Sequence, residues 1–468
     1  MRPTGLSSSG DTGSVDLEAD RGAPASSAAR RLTGKRLLAW ALLSVVLAIS
    51  FGGDPLRVTD PGYHRGFDAV SEGLVRMAID QAPDRPAFGP MPTSTALDSH
   101  YIAQFGLQGD LAGLTRPGGL GGAEWADFLR WVLAASAGAV FAAAAVAVGV
   151  VAGRLAAGAA VVALVLSPWL LAFAPNLYWA TVLLIAPCVA VGLIYRRDGS
   201  RRRTLTAAAV MALLVLVKCL CGYEFVTTVV LGGVAGVAFH EFAGRVDRRL
   251  LGRLAAFTVV GIVGFGVALM LHSYQLSHTP GLDPSMIEGR SSDRTFNPEN
   301  IDFHLQEMRD KGGRLSDLLL QVFPDPVALA LNKWKAYAMT TLVAPPGAGF
   351  SGVDWHGTVQ LPLIVFMLFV LYRADRVLRR RKPTSPAENA LLGTALIGLA
   401  GGWSWLVLGF GHAINHAHLD AIVFYLPFVP ATAALAAIVL AETLRRRSAG
   451  EPAADQAPAA GDPAHARA

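Results

Sequence analysis

Long apolar runs broken by short basic connectors occupy most of this chain, and the run lengths decide its class. The first run covers 37–52; others follow at 128–152, 155–174, 177–195, 204–222, 225–241, 254–272, 359–373, 388–411 and 421–441. A helix needs about 20 apolar residues to cross roughly 30 Å of hydrocarbon, so the pattern predicts an all-α polytopic membrane protein with about ten transmembrane helices. A long polar lead-in precedes the first run and no small-x-small cleavage site follows it, which predicts an uncleaved anchor.

The basic positions orient the runs. Arg30, Arg31, Lys35 and Arg36 precede the first; Arg196, Arg197 and Arg201–Arg203, then Arg245, Arg248, Arg249 and Arg253, occupy later connectors. Arg373, Arg376, Arg379–Arg381, Lys382 and Arg445–Arg447 complete the set. Ten spans put every cluster on one side, so the positive-inside rule predicts cytoplasmic N and C termini and a multi-pass protein of the cytoplasmic (inner) membrane. The predicted organisation is a disordered cytoplasmic tail (1–34), a transmembrane domain (35–445) and a second disordered tail (446–468). Two long extracytoplasmic loops, 53–127 and 273–358, are expected to carry interfacial helices, and short outward turns fall at Pro175–Asn176, Gly222–Glu224 and Gly411–Asp420.

Composition agrees. Of 468 residues, 53% are hydrophobic and 16% charged, with mean hydropathy +0.42, too little polar surface for an ordinary globular domain. The net charge of +5 sits in the connectors, where it reports topology; the bilayer is the expected partner and nucleic acid is not. Cys188, Cys219 and Cys221 fall in or beside apolar runs, as buried free thiols do.

The chemistry-bearing residues gather between the runs. In "LDSHYIAQFGLQGDLAG" (97–113), Leu97, Tyr101 and Phe105 recur at steps of four, which predicts a short helix. Asp98, His100, Gln104 and Gln108 lie off that stripe, and Gly106 and Gly109 are expected to end it. Such a helix either packs on the bundle or roofs a cavity. Earlier, "GGDPLRVTDPGYHRGFD" crowds Asp54, Asp60, Tyr63, His64 and Asp68 against the bilayer surface. A partly desolvated carboxylate there suits general-base work on a hydroxyl, while Asp-Pro pairs also read as turns. In "LVLVKCLCGYEF", Lys218 follows an apolar run and costs about 2.5 kcal/mol or more if unpaired at mid-depth. It either snorkels or pairs with Glu224, or it binds a lipid phosphate. His412 and His416 stand four apart, with His418 and Asp420 beyond them. They read as a polar cap on a cleft; no cofactor is called for, although the spacing leaves a divalent metal open. Arg290, Arg294, Arg309, Lys311 and Arg314 alternate with acids, as a solvated face does.

The long first outer loop, the closely paired spans and the second long outer region resemble the GT-C superfamily of membrane glycosyltransferases over residues 37–441. "FAPNLYWATVLLIAPCVAVGLIYRR" and "GYEF" beside a lysine are similar in texture to bacterial members. The resemblance implies sugar transfer from a polyprenyl-phosphate donor to a cell-envelope glycan, lipid or protein on the extracytoplasmic face. It implies a catalytic acid in the first outer loop: Asp60 in "TDPGYH", with Asp54 and Asp98 as competitors. Many members have two adjacent acids at that place, where this chain has Asp-Pro. Lys218, Tyr223, Glu224, His100, Tyr101, Gln104, Gln108, His412 and His416 are the expected substrate-binding set. The rival expectations are a transporter or flippase of a lipid-linked or amphipathic solute, coupled through Lys218 and Glu224, and a scaffold.

Overall fold

In a computed structural model, residues 25–84, 86–93, 100–197, 199–244, 248–295, 298–351, 361–380, 385–416 and 419–449 are described. The first apolar run is α1 (Ala25–Gly53). The first loop region holds α2 (Pro61–Gly66), α3 (Ala69–Asp80), the antiparallel two-residue strands β1 (Met91–Pro92) and β2 (His100–Tyr101), and α4 (Leu107–Leu114). The bundle continues with α5 (Gly122–Ala152), α6 (Arg154–Val165), α7 (Pro168–Phe173), α8 (Thr181–Ile194), α9 (Arg201–Cys221), α10 (Val226–Ala243) and α11 (Leu250–Ser277). The second loop region comprises α12 (Ser285–Thr295), α13 (Pro298–Lys311), α14 (Arg314–Val322) and α15 (Asp325–Ala338), then β3 (Thr341–Val343) paired with β4 (Leu361–Pro362). The chain ends with α16 (Leu363–Arg380), α17 (Pro386–Leu408), α18 (Phe410–Asn415), a 3-10 turn at Asp420–Tyr425 and α19 (Phe428–Ser448).

Among the described residues seven helices are long and apolar enough to cross a membrane: α1 from Thr33, α5, α9, α10, α11, α17 and α19. The chain is therefore a multi-pass helical membrane protein. The other three expected runs fold as shorter or more charged helices. Ser167, whose hydroxyl accepts from Leu170 N (3.0 Å), starts a new helix and divides 155–174 into α6 and α7. The helix α8 has 14 residues, and α16 carries Arg373, Asp375, Arg376 and Arg379.

One local expectation is corrected. The stripe of Leu97, Tyr101 and Phe105 does not form a helix through 101–105: His100–Tyr101 pairs with Met91–Pro92, and α4 starts only at Leu107. Gly106 takes φ +87° and donates its N–H to Leu220 O at the end of α9 (3.0 Å), so a tertiary bond replaces the helical one. Gly109, expected to break the helix, lies inside it.

Small residues let the spans approach closely, as packing within lipid favours. A Cβ on Gly138 of α5 would lie 2.8 Å from Ala48 N of α1, and one on Gly236 of α10 would lie 2.4 Å from Cys188 O of α8. Gly264 of α11 meets Ala212 O of α9 in the same way (2.5 Å). Gly138→Val and Gly236→Val are therefore expected to cost about 1–3 kcal/mol each through overpacking. Gly266→Ala, at a helical position with nothing within 4 Å, should be neutral or slightly stabilising. Thermal unfolding of the three variants in detergent checks the contrast.

Candidate functional site

Polar groups concentrate where α9 turns into α10, at the end of the bundle opposite the basic connectors. The helix α9 ends at Cys221, and Gly222 N–H closes it on Lys218 O (3.0 Å). The Lys218 ammonium turns back onto Gly222 O (2.6 Å), placing a cation on the carbonyl end of its own helix. It is 2% exposed, so Lys218 stays inside the bundle and does not snorkel. Gly222 is required by close approach: a Cβ there would lie 2.5 Å from Glu224 Oε2 and 2.6 Å from Gln104 Oε1.

Around Glu224 a chain of hydroxyls forms. Tyr178 Oη donates to Glu224 Oε1 (3.4 Å), and Tyr101 Oη lies 3.0 Å from Tyr178 Oη. Gln108 Nε2 donates to Tyr178 O (3.3 Å). Gln104 is fully buried, yet neither of its amide atoms has a hydrogen-bond partner. A buried amide without partners costs on the order of 1–3 kcal/mol, so Gln104 is poised for a polar ligand. On the α11 side, Tyr223 Oη meets His272 Nδ1 (3.0 Å), and Gln275 Nε2 donates to Phe88 O (2.8 Å) and Phe105 O (2.9 Å). These bonds hold the 100–108 segment down on the cluster. The predicted residues Tyr101, Gln104, Gln108, Lys218, Tyr223 and Glu224 therefore lie around one turn.

Phe225, at φ +64°, separates this cluster from a second. Its ring stacks on Trp179 (5.3 Å between centroids) and stands edge-on to Trp405 (5.3 Å) and His412 (6.4 Å). His412 Nδ1 faces Asp420 (3.2 Å to Oδ1), whose carboxylate is fully buried. Tyr337 Oη lies 2.8 Å from Ala413 O and 3.3 Å from Asp420 Oδ2. The exposed ring of His416 packs on His412 (4.5 Å). Among the described residues no three His, Cys, Asp or Glu side chains are grouped to hold a metal.

The first-loop aspartates are dispersed. Asp54 is buried and committed to its own turn: Oδ1 accepts from Val58 N (3.0 Å), and Oδ2 accepts from Thr59 N (2.8 Å) and Thr59 Oγ1 (2.6 Å). Asp60 is exposed and caps α2 through bonds from Gly62 N (2.8 Å) and Tyr63 N (3.1 Å). Asp98 and His418 lie outside the described residues, and His100 sits at the start of β2. Asp68 caps α3 and accepts from Trp179 Nε1 (2.8 Å), which ties the first loop to the aromatic wall. Sequence reasoning left out Tyr178, Trp179, Phe225 and Tyr337 as site residues. The signal for the first two was the "PNLYW" interruption between apolar runs; Phe225 and Tyr337 leave no local mark.

No protein-family model matches the chain, and no curated protein matches it. Among solved structures the chain is similar to the oligosaccharyltransferase of Archaeoglobus fulgidus, in a crystal structure with zinc and sulfate. The similarity has a TM-score of 0.37 and 15% identity, over 80% of this chain and 47% of the other. The chain thus spans about half the length of that protein, and a likeness this shallow transfers neither residues nor reaction.

Two outcomes test the loop anchors. Asp54→Asn removes a charged acceptor of three bonds and should cost about 1–3 kcal/mol in unfolding free energy. Burial is the main cause holding His64 below its ordinary 6.5; Arg130 and Arg65 act the same way, while its bond to Phe51 O and the Asp54 charge oppose them. The unfolded chain then takes up a proton that the folded one resists. The contribution of His64 is present above about pH 6.5 and lost as the pH falls through its lower folded value, so stability should decline from pH 7 to 5 and decline less in His64→Asn.

Proposed function

We propose that this chain is a membrane glycosyltransferase of the GT-C kind, transferring a sugar from a polyprenyl-phosphate donor to a cell-envelope glycan, lipid or protein hydroxyl on the extracytoplasmic face of the cytoplasmic membrane. The observation that carries this reading is the α9–α10 turn. A carboxylate, an ammonium, two tyrosine hydroxyls and two amides meet there at one end of an apolar bundle, beneath the first loop. Amides and aromatic hydroxyls suit the donors and acceptors of a sugar, and a cation near an apolar wall suits a phosphate carried on a hydrocarbon chain.

In this mechanism Glu224 is the general base. The acceptor oxygen bonds to the anomeric carbon as the bond from that carbon to the phosphate oxygen breaks, and the hydroxyl proton passes to Glu224. Polyprenyl phosphate leaves as an anion, its charge met by Lys218, which exchanges the carbonyl of Gly222 for the phosphate. Gln104, Gln108 and Tyr101 hold the sugar. Asp60 and Asp98 are the competing acids from the first loop, whereas Asp54 keeps its turn. The cluster is closed in this state, with Gln104 0%, Lys218 2% and Glu224 3% exposed, so binding requires the 100–108 segment to yield.

A second reading, a transporter or flippase, is favoured by the interruption between α18 and α19, where buried His412 of α18 faces buried Asp420 at the start of the 3-10 turn. Interrupted helices serve as solute sites in many carriers. The two readings separate in proteoliposomes supplied with labelled polyprenyl-phosphate sugar and acceptor. Sugar transfer predicts that Glu224→Gln lowers turnover about 10²–10⁴-fold while donor retention, read by native mass spectrometry, is kept. Lys218→Gln should weaken retention. Unchanged transfer in Glu224→Gln, Asp60→Asn and Asp98→Asn alike would overturn it, and thiol labelling of Lys218→Cys from the basic-connector side would favour the carrier.

A further inference from the structure

The half of the bundle nearer the basic connectors contains a cavity of about 90 Å³ between α5, α6, α8, α10, α17 and α19. Phe141, Ala144, Val148, Leu164 and Ile185 are among its lining, and Thr394 closes off its own hydroxyl by donating to Ala390 O (2.8 Å). A cavity with no free polar group does not hold water; by comparison, a dry cavity of about 150 Å³ accepts benzene. Leu193, 46% exposed, stands at its rim, so the cavity opens sideways to where lipid lies. A cation lies close to the lining. Just past Gly192, which lines the cavity, Arg196 Nη1 donates to Gly192 O (3.0 Å) and lies 2.9 Å from His240 Nε2. Arg196 is exposed, and exposed Arg154 starts α6 at the same end of the bundle.

We infer that this cavity is a lipid site: it takes the end of one acyl chain of an anionic phospholipid from the leaflet on the basic side, with the headgroup phosphate held by Arg196. An apolar slot alone does not select among lipids, because the bilayer is equally apolar; the arginine bonded to the Gly192 carbonyl supplies the selection. The site lies at the opposite end of the bundle from Glu224 and does not depend on the sugar-transfer reading.

The test uses the full-length protein in mixed vesicles carrying a phosphatidylglycerol probe with a diazirine on the acyl chain. After photolysis, the labelled peptides are mapped. Labelling is expected in α5 between Phe141 and Val148 and in α8 between Cys188 and Leu193. Arg196→Gln should lower it about fivefold, the worth of one basic residue at an anionic surface, and Arg196→Lys should largely restore it. Ala144→Phe, which fills the slot, should abolish it, with the thermal midpoint read alongside; Ala147→Leu is the milder variant if Ala144→Phe fails to fold. Equal labelling by a phosphatidylcholine probe, indifference to Arg196→Gln, or displacement of the probe by polyprenyl phosphate would each overturn the inference.

Discussion

A peptide group that leaves a helix inside an apolar bundle loses its partner, and no water is there to replace it. This chain interrupts its helices at 166–167, 174–180 and 222–225 and around the 3-10 turn at Asp420–Tyr425, and hydrogen bonds from side chains or strands tie these interruptions to the segments around them. Trp169 Nε1 donates to Thr341 O (2.7 Å), and Ala344 N donates to Leu166 O (3.0 Å), which sews the second loop region to the α6–α7 break. Thr181 Oγ1 donates to Phe173 O (2.8 Å), and Asn176 Nδ2 to Phe67 O (2.8 Å). The Tyr425 hydroxyl donates to Leu342 O from a 3-10 turn that is buried throughout. The polar character of the loop end follows from this need, because side chains that satisfy broken backbone must carry donors and acceptors.

The same requirement explains the strain around the site. Asp54, Arg57, Asp68, Ala180 and Phe225 all have positive φ, and all stand at turns on this end of the bundle. Such conformations cost on the order of 1–3 kcal/mol each and persist only where neighbouring contacts over-determine them. Phe225 is pinned by Trp179, Trp405 and His412, and Asp68 by the indole of Trp179. Glu224 is therefore presented from a turn with little freedom to move. Under the sugar-transfer proposal such a turn would spare Glu224 the cost of reorganising before it acts.

The opposite end of the bundle is held by ion pairs between neighbouring helices. Glu241 of α10, 2% exposed, meets Arg253 of α11 (2.6 Å) and accepts from the Tyr195 hydroxyl, while Arg373 of α16 pairs with Glu388 of α17. A buried carboxylate without its arginine is strongly destabilising, so these pairs fix which helices lie side by side where the connectors are short. One end thus carries paired structural charges and an apolar cavity. The other carries an unpartnered amide among acids and hydroxyls.

Run length and local chemistry were legible in the sequence: the apolar runs that became α1, α5, α9, α10, α11, α17 and α19, the Gly222–Glu224 turn, and the grouping of Tyr101, Gln104, Gln108, Lys218 and Glu224 as polar exceptions. These are properties of a few consecutive residues, and the cost of putting a polar group in hydrocarbon makes each exception visible. Tertiary structure alone decided which exceptions meet. Tyr178 reaches Glu224 across 46 residues and Tyr337 reaches Asp420 across 83, distances over which a hydrophobic period carries no information. It also overruled the four-step stripe at 97–105, because the Gly106 N–H found Leu220 O instead of a helical carbonyl. The Asp54 carboxylate, by contrast, bonds within its own turn to Val58 and Thr59, four and five residues on, which agrees with the turn that its Asp-Pro pair suggests.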